Sequence, residues 1–447
     1  MKGRKIIAMT MAVLFLTGCL MTGCGDDTEI KTPATDATVE AASGVASAVS
    51  PAAVTASPKA VSPIKTLSPD RYVHGSEGYF NLNDEGTTVR LRSQIGGTCW
   101  LYASAVCMET GTQIAHGKEI ELDPMSLIDK IYGEDKKEGF FVRGVGAREY
   151  GGCAFFVIMT LSNGFDGYVL DSGINLPDNE TETVQEYMKK FGAVYFAVPD
   201  GVASKKGNHE GYTTINFVTD DMDDYDHSIA AVGWDDHFPK TYFNDEASQD
   251  GAWITANSQA NADYYYVSYD TRPENKYDKP VCMSLTDEYS YVATHDCGFD
   301  PDQSIKKKGA VTTANVFHKK GTLAAVGTYS LEKDQDIKIE IYDADFKKCI
   351  FTQEGKLTET GYQVIELTQP IEVDDYAIAV TYSKGVAPVE GKGWKDLPGV
   401  EFKTVSKKGE SFVKIGKRWY DTHDKATLKK LKRKKKINNV CIKGLYS

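Results

Sequence analysis

No stretch of this sequence stays apolar for the ~20 residues that a membrane-crossing helix needs. Its most apolar run, Ile6 to Leu16, is too short and follows the basic start Met1-Lys2-Gly3-Arg4-Lys5. That pairing reads as a secretory signal segment and not as a membrane span. Histidine is scarce, at 8 residues, so any imidazole base has few candidates. Cys and His nowhere cluster at zinc-ligand spacing, and the sequence predicts no structural metal and no other cofactor. Large apolar side chains are few between Gly25 and Pro69, where Ala, Thr, Ser, Val and Pro dominate. Residues 25–69 cannot bury a core and are expected to be a disordered tether.

Against these absences stands Gln94-Ile95-Gly96-Gly97-Thr98-Cys99-Trp100. From Thr98 the chain continues as an apolar, Ala-rich run with neither Gly nor Pro before Gly111, which predicts a buried helix with Thr98 near its N-cap. A thiol is a nucleophile only as its thiolate, and a helix N-terminus stabilises that charge. Gln94, across the Gly96-Gly97 turn, can aim its amide at the same point and form an oxyanion hole with the Cys99 N–H. Cys99 is therefore the candidate nucleophile. A base and an orienting group are needed next. His227 opens the strand-like run His227-Ser228-Ile229-Ala230-Ala231-Val232-Gly233-Trp234, and Ala252-Trp253-Ile254-Thr255-Ala256-Asn257 is a second apolar strand that ends in an amide.

This order of Cys-Trp, His and Asn resembles the papain-like cysteine peptidases, over about Gly78 to Asp270. The resemblance implies Cys99 as nucleophile, His227 as general base, Asn257 as the residue that orients it and Gln94 as oxyanion donor. It also implies that Phe80-Asn81-Leu82-Asn83 starts the mature domain, that Gly151 and Gly152 line the substrate cleft, and that Tyr264 to Tyr269 is the last core strand. Two positions depart from the family pattern. Gly96 and Gly97 stand where a structural Cys is usual, and Gln259 stands where a Trp commonly shields the Asn–His hydrogen bond. The tether also carries too few apolar residues to be the folded inhibitory propeptide of many relatives.

Leu16-Thr17-Gly18-Cys19 resembles the acylation motif of bacterial lipoproteins, with Met21-Thr22-Gly23-Cys24 as the alternative. That resemblance implies a lipid on Cys19 (alternatively Cys24) and a site on the extracellular face of the bacterial cell membrane. Seven cysteines then remain, an odd number, with Cys282 and Cys297 a candidate disulfide pair.

After Asp270 the pattern changes to short β-rich runs, Thr322 to Tyr329, Ile337 to Tyr342, Tyr362 to Leu367, Tyr376 to Tyr382, Ser411 to Ile415 and Asn439 to Tyr446, divided by turn residues such as Glu332-Lys333-Asp334 and Asp374-Asp375. Such spacing predicts an antiparallel β-sandwich. Ala314-Asn315-Val316-Phe317, Pro388-Val389-Glu390, Gly409-Glu410-Ser411-Phe412 and Asn439-Val440-Cys441-Ile442-Lys443 resemble the lectin-like domain found behind papain-like domains in bacterial surface proteins. The expected fold class is thus α+β, with the resemblances implying a two-lobed papain-like domain followed by an all-β sandwich: 1–24 signal, 25–69 tether, 70–285 peptidase domain, 286–447 lectin-like domain.

Charge follows the same division. Residues 297–447 hold 28 Lys and Arg against 20 Asp and Glu in a chain whose net charge is −12. Much of this excess lies at Lys425, Lys429, Lys430, Lys432, Arg433, Lys434, Lys435 and Lys436, which read as a solvated loop with some attraction for anionic wall polymers. Asp220, Asp221, Asp223, Asp224 and Asp226 read likewise as a solvated acidic loop before His227. The expected partners are protein or peptide substrates, a glycan or anionic cell-wall polymer, and the membrane through the lipid; nucleic acid is not expected. The rival reading is a surface adhesin whose peptidase domain is only a scaffold.

Overall fold

A short apolar run becomes a strand or a helix according to the partners it finds, and here most find strands. The computed structural model describes residues 77–133, 137–142, 147–149, 151–198, 207–209, 211–216, 218, 227–245, 247–259, 262–274, 278–300, 303–394, 399–433 and 436–447. The signal, both candidate lipidation cysteines, the tether and the acidic residues 220–226 lie outside them.

Among the described residues the first part holds four α-helices, α1 (Cys99–His116), α2 (Pro124–Tyr132), α3 (Ala154–Leu161) and α4 (Thr181–Phe191). Its strands are β1 (Tyr79–Asn81), β2 (Gly139–Val142), β3 (Val169–Asn175), β4 (Val194–Val198), β5 (Gly207–His209), β6 (Tyr212–Ile215), β7 (His227–Asp235), β8 (Ala252–Asn257), β9 (Asp263–Ser268) and β10 (Val281–Thr286). Helix α1 is buried from Cys99 to Thr112, which explains why its sequence is apolar all round and not striped. Gly117 ends it in the left-handed region at φ 64°, where glycine costs nothing. Antiparallel pairing runs β1–β7, β4–β7, β7–β8 and β8–β9, so His227 and Asn257 sit on adjacent strands against α1.

The second part is β11 (Tyr291–Ala293), β12 (Ser304–Lys306), β13 (Val311–Ser330), β14 (Gln335–Asp343), β15 (Cys349–Leu357), β16 (Thr360–Tyr382), β17 (Val386–Pro388), β18 (Gly393–Trp394), β19 (Val400–Lys403), β20 (Ser411–Ile415), β21 (Arg418–Asp421) and β22 (Ile442–Tyr446), with the short helix α5 (Lys425–Lys430). It is the expected all-β sandwich around its own core of Val311, Phe317, Ile339, Ile378, Val380 and Ile442. The long strands β13 and β16 pair with each other throughout, and register shifts at His318/Gly321 and Leu323/Ala325 let β13 turn from β20 to β22.

The two parts share backbone pairing. Strand β3 takes β10 on one side and Thr360 to Gln363 of β16 on the other, and β2 pairs with β19. A single network of 17 strands therefore crosses the seam.

Several expectations need correction. Tyr362 to Leu367 and Tyr376 to Tyr382 are one strand of 23 residues, so Asp374 and Asp375 form no turn; Asp375 pairs with His318. Cys282 and Cys297 are both free thiols. The basic run is partly helical, and the Arg433 guanidinium is half-buried, donating to the Ser304 carbonyl and to Gln303 Oε1 at 3.2 Å.

Candidate active site

Cys99 is the first residue of α1 and is 8% exposed. Thr98 takes the N-cap position, but its hydroxyl donates to the Ile95 carbonyl at 2.8 Å and not to a first-turn amide. The first-turn amides are thus not used by a capping side chain, and no acidic residue stands in that turn. An amide-rich helix start of this kind stabilises negative charge. The turn before it needs glycine at one position: Gly96 has φ +66°, and a Cβ there would meet the Arg148 carbonyl oxygen at 2.5 Å. Five other thiols have a different setting. Burial pushes Cys107, Cys153, Cys282, Cys297 and Cys441 up and keeps them protonated, the inert condition of a packing cysteine.

His227 opens β7 and Asn257 closes β8, both buried. His227 Nε2 lies 2.6 Å from Asn257 Oδ1. An amide oxygen only accepts, so Nε2 carries the hydrogen and Nδ1 is the basic ring nitrogen. Asn257 Nδ2 is buried with no hydrogen-bond partner among the described residues.

Gln94 is tied to the same place from the other side. Its backbone N–H donates to the Ser258 carbonyl at 2.8 Å, its Oε1 accepts from Ser258 Oγ at 2.8 Å, and its Nε2 donates to the Gly96 carbonyl at 2.8 Å. The segment leading into α1 is thereby bonded to the residue after Asn257. Behind it, Arg92 makes a two-pronged contact with the buried Glu109 of α1, at 2.7 and 3.1 Å, fixing this segment on the helix.

Gly151 and Gly152 differ from each other. Gly151 is exposed with open space around its Cα, and its carbonyl accepts from Tyr132 at 2.9 Å. Gly152 lies on the indole of Trp100, where a Cβ would come within 2.5 Å of the ring. This contact sets the 151–152 segment beside the residue after Cys99.

Sequence reading missed a buried network at the same site. Asp278 accepts from the Ala154 N–H at 3.0 Å and from the Tyr195 hydroxyl at 2.9 Å, and Tyr195 is 2.6 Å from Ser228 Oγ. The Cys153 thiol also bonds this carboxyl, whose pKa burial pushes up to about 7. Nothing in the sequence signals it, because Asp278 lies in a polar loop 83 residues from Tyr195.

Comparison with known proteins bears on the fold. Residues 293–446 match the family described as Lectin like domain. A cysteine-to-alanine variant of the clostridial cysteine protease Cwp84, solved after propeptide cleavage, superposes with a TM-score of 0.66 at 15% identity, covering 83% of this chain and 100% of that one. The cysteine protease and lectin-like domains of Cwp84, a surface layer associated protein of Clostridium difficile, give 0.65 at 14% identity over 83% and 89%. No curated protein sequence matches the chain. The fold is that of a papain-like cysteine peptidase joined to a lectin-like domain.

Proposed function

We propose that this chain is a cysteine endopeptidase held outside the cell by a lipid on its N-terminal segment. Cys99 attacks the carbonyl carbon of a peptide bond, and His227 takes the thiol proton and returns it to the leaving amine. Asn257 holds the imidazole, while the Gln94 amide and the Cys99 N–H receive the oxyanion. Water then hydrolyses the thioester. The observation that carries this reading is the 2.6 Å His227–Asn257 pair joined through Ser258 to Gln94, beside a cysteine at a helix start. The fold shared with Cwp84, named a cysteine protease, supports it.

Purified residues 70–447 are expected to cleave an unstructured protein and to be labelled at Cys99 by a thiol-reactive epoxide. Equal cleavage by wild type and Cys99→Ala sinks the reading. For the anchor, fatty-acid labelling in cells is expected to disappear in Cys19→Ala and persist in Cys24→Ala; label retained in both single variants refutes it.

A second role is supported by the lectin-like match over residues 293–446, namely binding of a glycan or anionic wall polymer. Cys99→Ala protein on a glycan array, free of proteolysis, tests it, and an array with no signal removes it.

A further inference from the structure

The network around Asp278 joins segments that the proposed chemistry needs to keep apart by a fixed distance. Trp100 follows Cys99 on α1, and its indole is the surface on which Gly152 rests. Cys153 and Ala154, the next two residues, bond the Asp278 carboxyl through thiol and amide. Its other oxygen takes the Tyr195 hydroxyl of β4, and Tyr195 meets Ser228, which follows His227 on β7. The contacts therefore run from the residue beside the nucleophile to the residue beside the base, and the packing of α1 on β7 closes them into a ring. Tyr195, Ser228, Cys153 and Asp278 are all buried.

We propose that Asp278 is a positioning residue that closes this ring and so sets the spacing of the 151–152 wall and of Cys99 against His227. The proposal rests on the peptidase reading.

The chemistry of the ring makes it sensitive to protonation. Three donors, the Tyr195 hydroxyl, the Cys153 thiol and the Ala154 N–H, converge on one carboxylate, and all three donate to it together only when it is ionised. A protonated Asp278 must itself donate; the Tyr195 hydroxyl then turns its hydrogen to Ser228, 2.6 Å away, and its charge-assisted bond to the carboxylate is lost. Among the described residues, the titratable groups that bond Asp278 are Tyr195 from β4 and Cys153 from the start of α3. Burial pushes both of these well up, so neither ionises near neutrality. With Asp278 near 7, the ring loosens as pH falls through that value.

The full-length protein tests this through the pH profile of kcat/KM on a peptide substrate and the labelling rates of Cys99 by iodoacetamide and by a peptidyl epoxide. Wild type is expected to lose activity below about pH 7, the value to which burial raises this carboxyl. Asp278→Asn is expected to be roughly tenfold less active at higher pH and to lack that break, the size being that of one lost hydrogen bond to a charged group. Peptidyl labelling should fall with it, while iodoacetamide, which needs no cleft, reacts within about twofold of wild type. Tyr195→Phe removes one donor without changing the packing, and is expected to lose less activity while shifting the break; it stands in if the Asn variant does not fold. Variants that keep the wild-type profile and peptidyl labelling rate overturn the proposal alone. A wild type inert to substrate and to both reagents overturns the peptidase reading, and this proposal with it.

Discussion

The two parts of the chain bury polar groups to different ends. Around α1, β4, β7 and β8 polar side chains gather at the candidate site: His227 bonds Asn257, Gln94 bonds Ser258 and Asp278 bonds Tyr195. In the sandwich they tie strands and seam together. Asn315 donates to the Val440 and Ile442 carbonyls at 3.0 and 2.7 Å, and Ser411 bonds Asn315 and Asn439. Lys443, fully buried, bonds Asp296 at 2.7 Å, Asn163 of the first part at 2.7 Å and Thr294 at 3.0 Å. Polar side chains thus gather at the candidate site in one part and hold register in the other. A variant in the first should cost activity with the fold intact, and one in the second should cost the fold.

The largest expected effect tests the second half of that contrast. Lys443→Met keeps the apolar stem but leaves Asp296 buried without its cation, close to Glu390, whose pKa burial and Asp296 already push well up. Breaking a buried pair by removing one partner costs roughly 3–5 kcal/mol. Chemical denaturation should show that loss, with kcat per folded molecule unchanged. An undiminished unfolding midpoint would mean that the seam does not depend on this lysine.

How much of this was legible in the sequence follows the same line. Strands β7 and β8 were readable because they are buried along their whole length, so each is a continuous apolar run. Strand β15 was missed because its burial pattern is mostly exposed and CIFTQEGKL has no apolar stripe to see. The join inside β16 was hidden because residues 368–370 are exposed and include Pro370, which reads as a break. Cys99, Gln94, His227 and Asn257 could be proposed as a set because their motifs stand along the chain in the order of the family they resemble. Asp278 and Lys443 could not, since a buried ionisable residue is recognised only from partners that tertiary structure brings to it.

The next effect in size is on activity. Gln94→Ala removes the candidate oxyanion donor together with its bond to Ser258. Loss of one such donor costs about 10²- to 10³-fold in kcat. Stability should change far less than in Lys443→Met, because Gln94 sits at an exposed turn and the Arg92–Glu109 contact still holds its segment. A loss of stability that matches the loss of rate would make Gln94 a structural residue and blur the distinction between the two parts.

The smallest effect separates two adjacent glycines. In Gly152→Ala the added methyl would stand 2.5 Å from the Trp100 indole, so the wall or the ring must move. Overpacking of this kind costs roughly 1–3 kcal/mol. In Gly151→Ala nothing lies within 4 Å of the new Cβ, and the stability change should fall within about 0.5 kcal/mol, as for ordinary surface substitutions. That methyl projects from an exposed residue of the segment held beside Cys99. If residue 151 lines the substrate cleft, Gly151→Ala raises KM with kcat and melting temperature unchanged, whereas Gly152→Ala lowers stability and kcat together. Melting curves and steady-state kinetics on the two variants decide it, and a Gly151→Ala protein with wild-type KM removes Gly151 from the cleft wall.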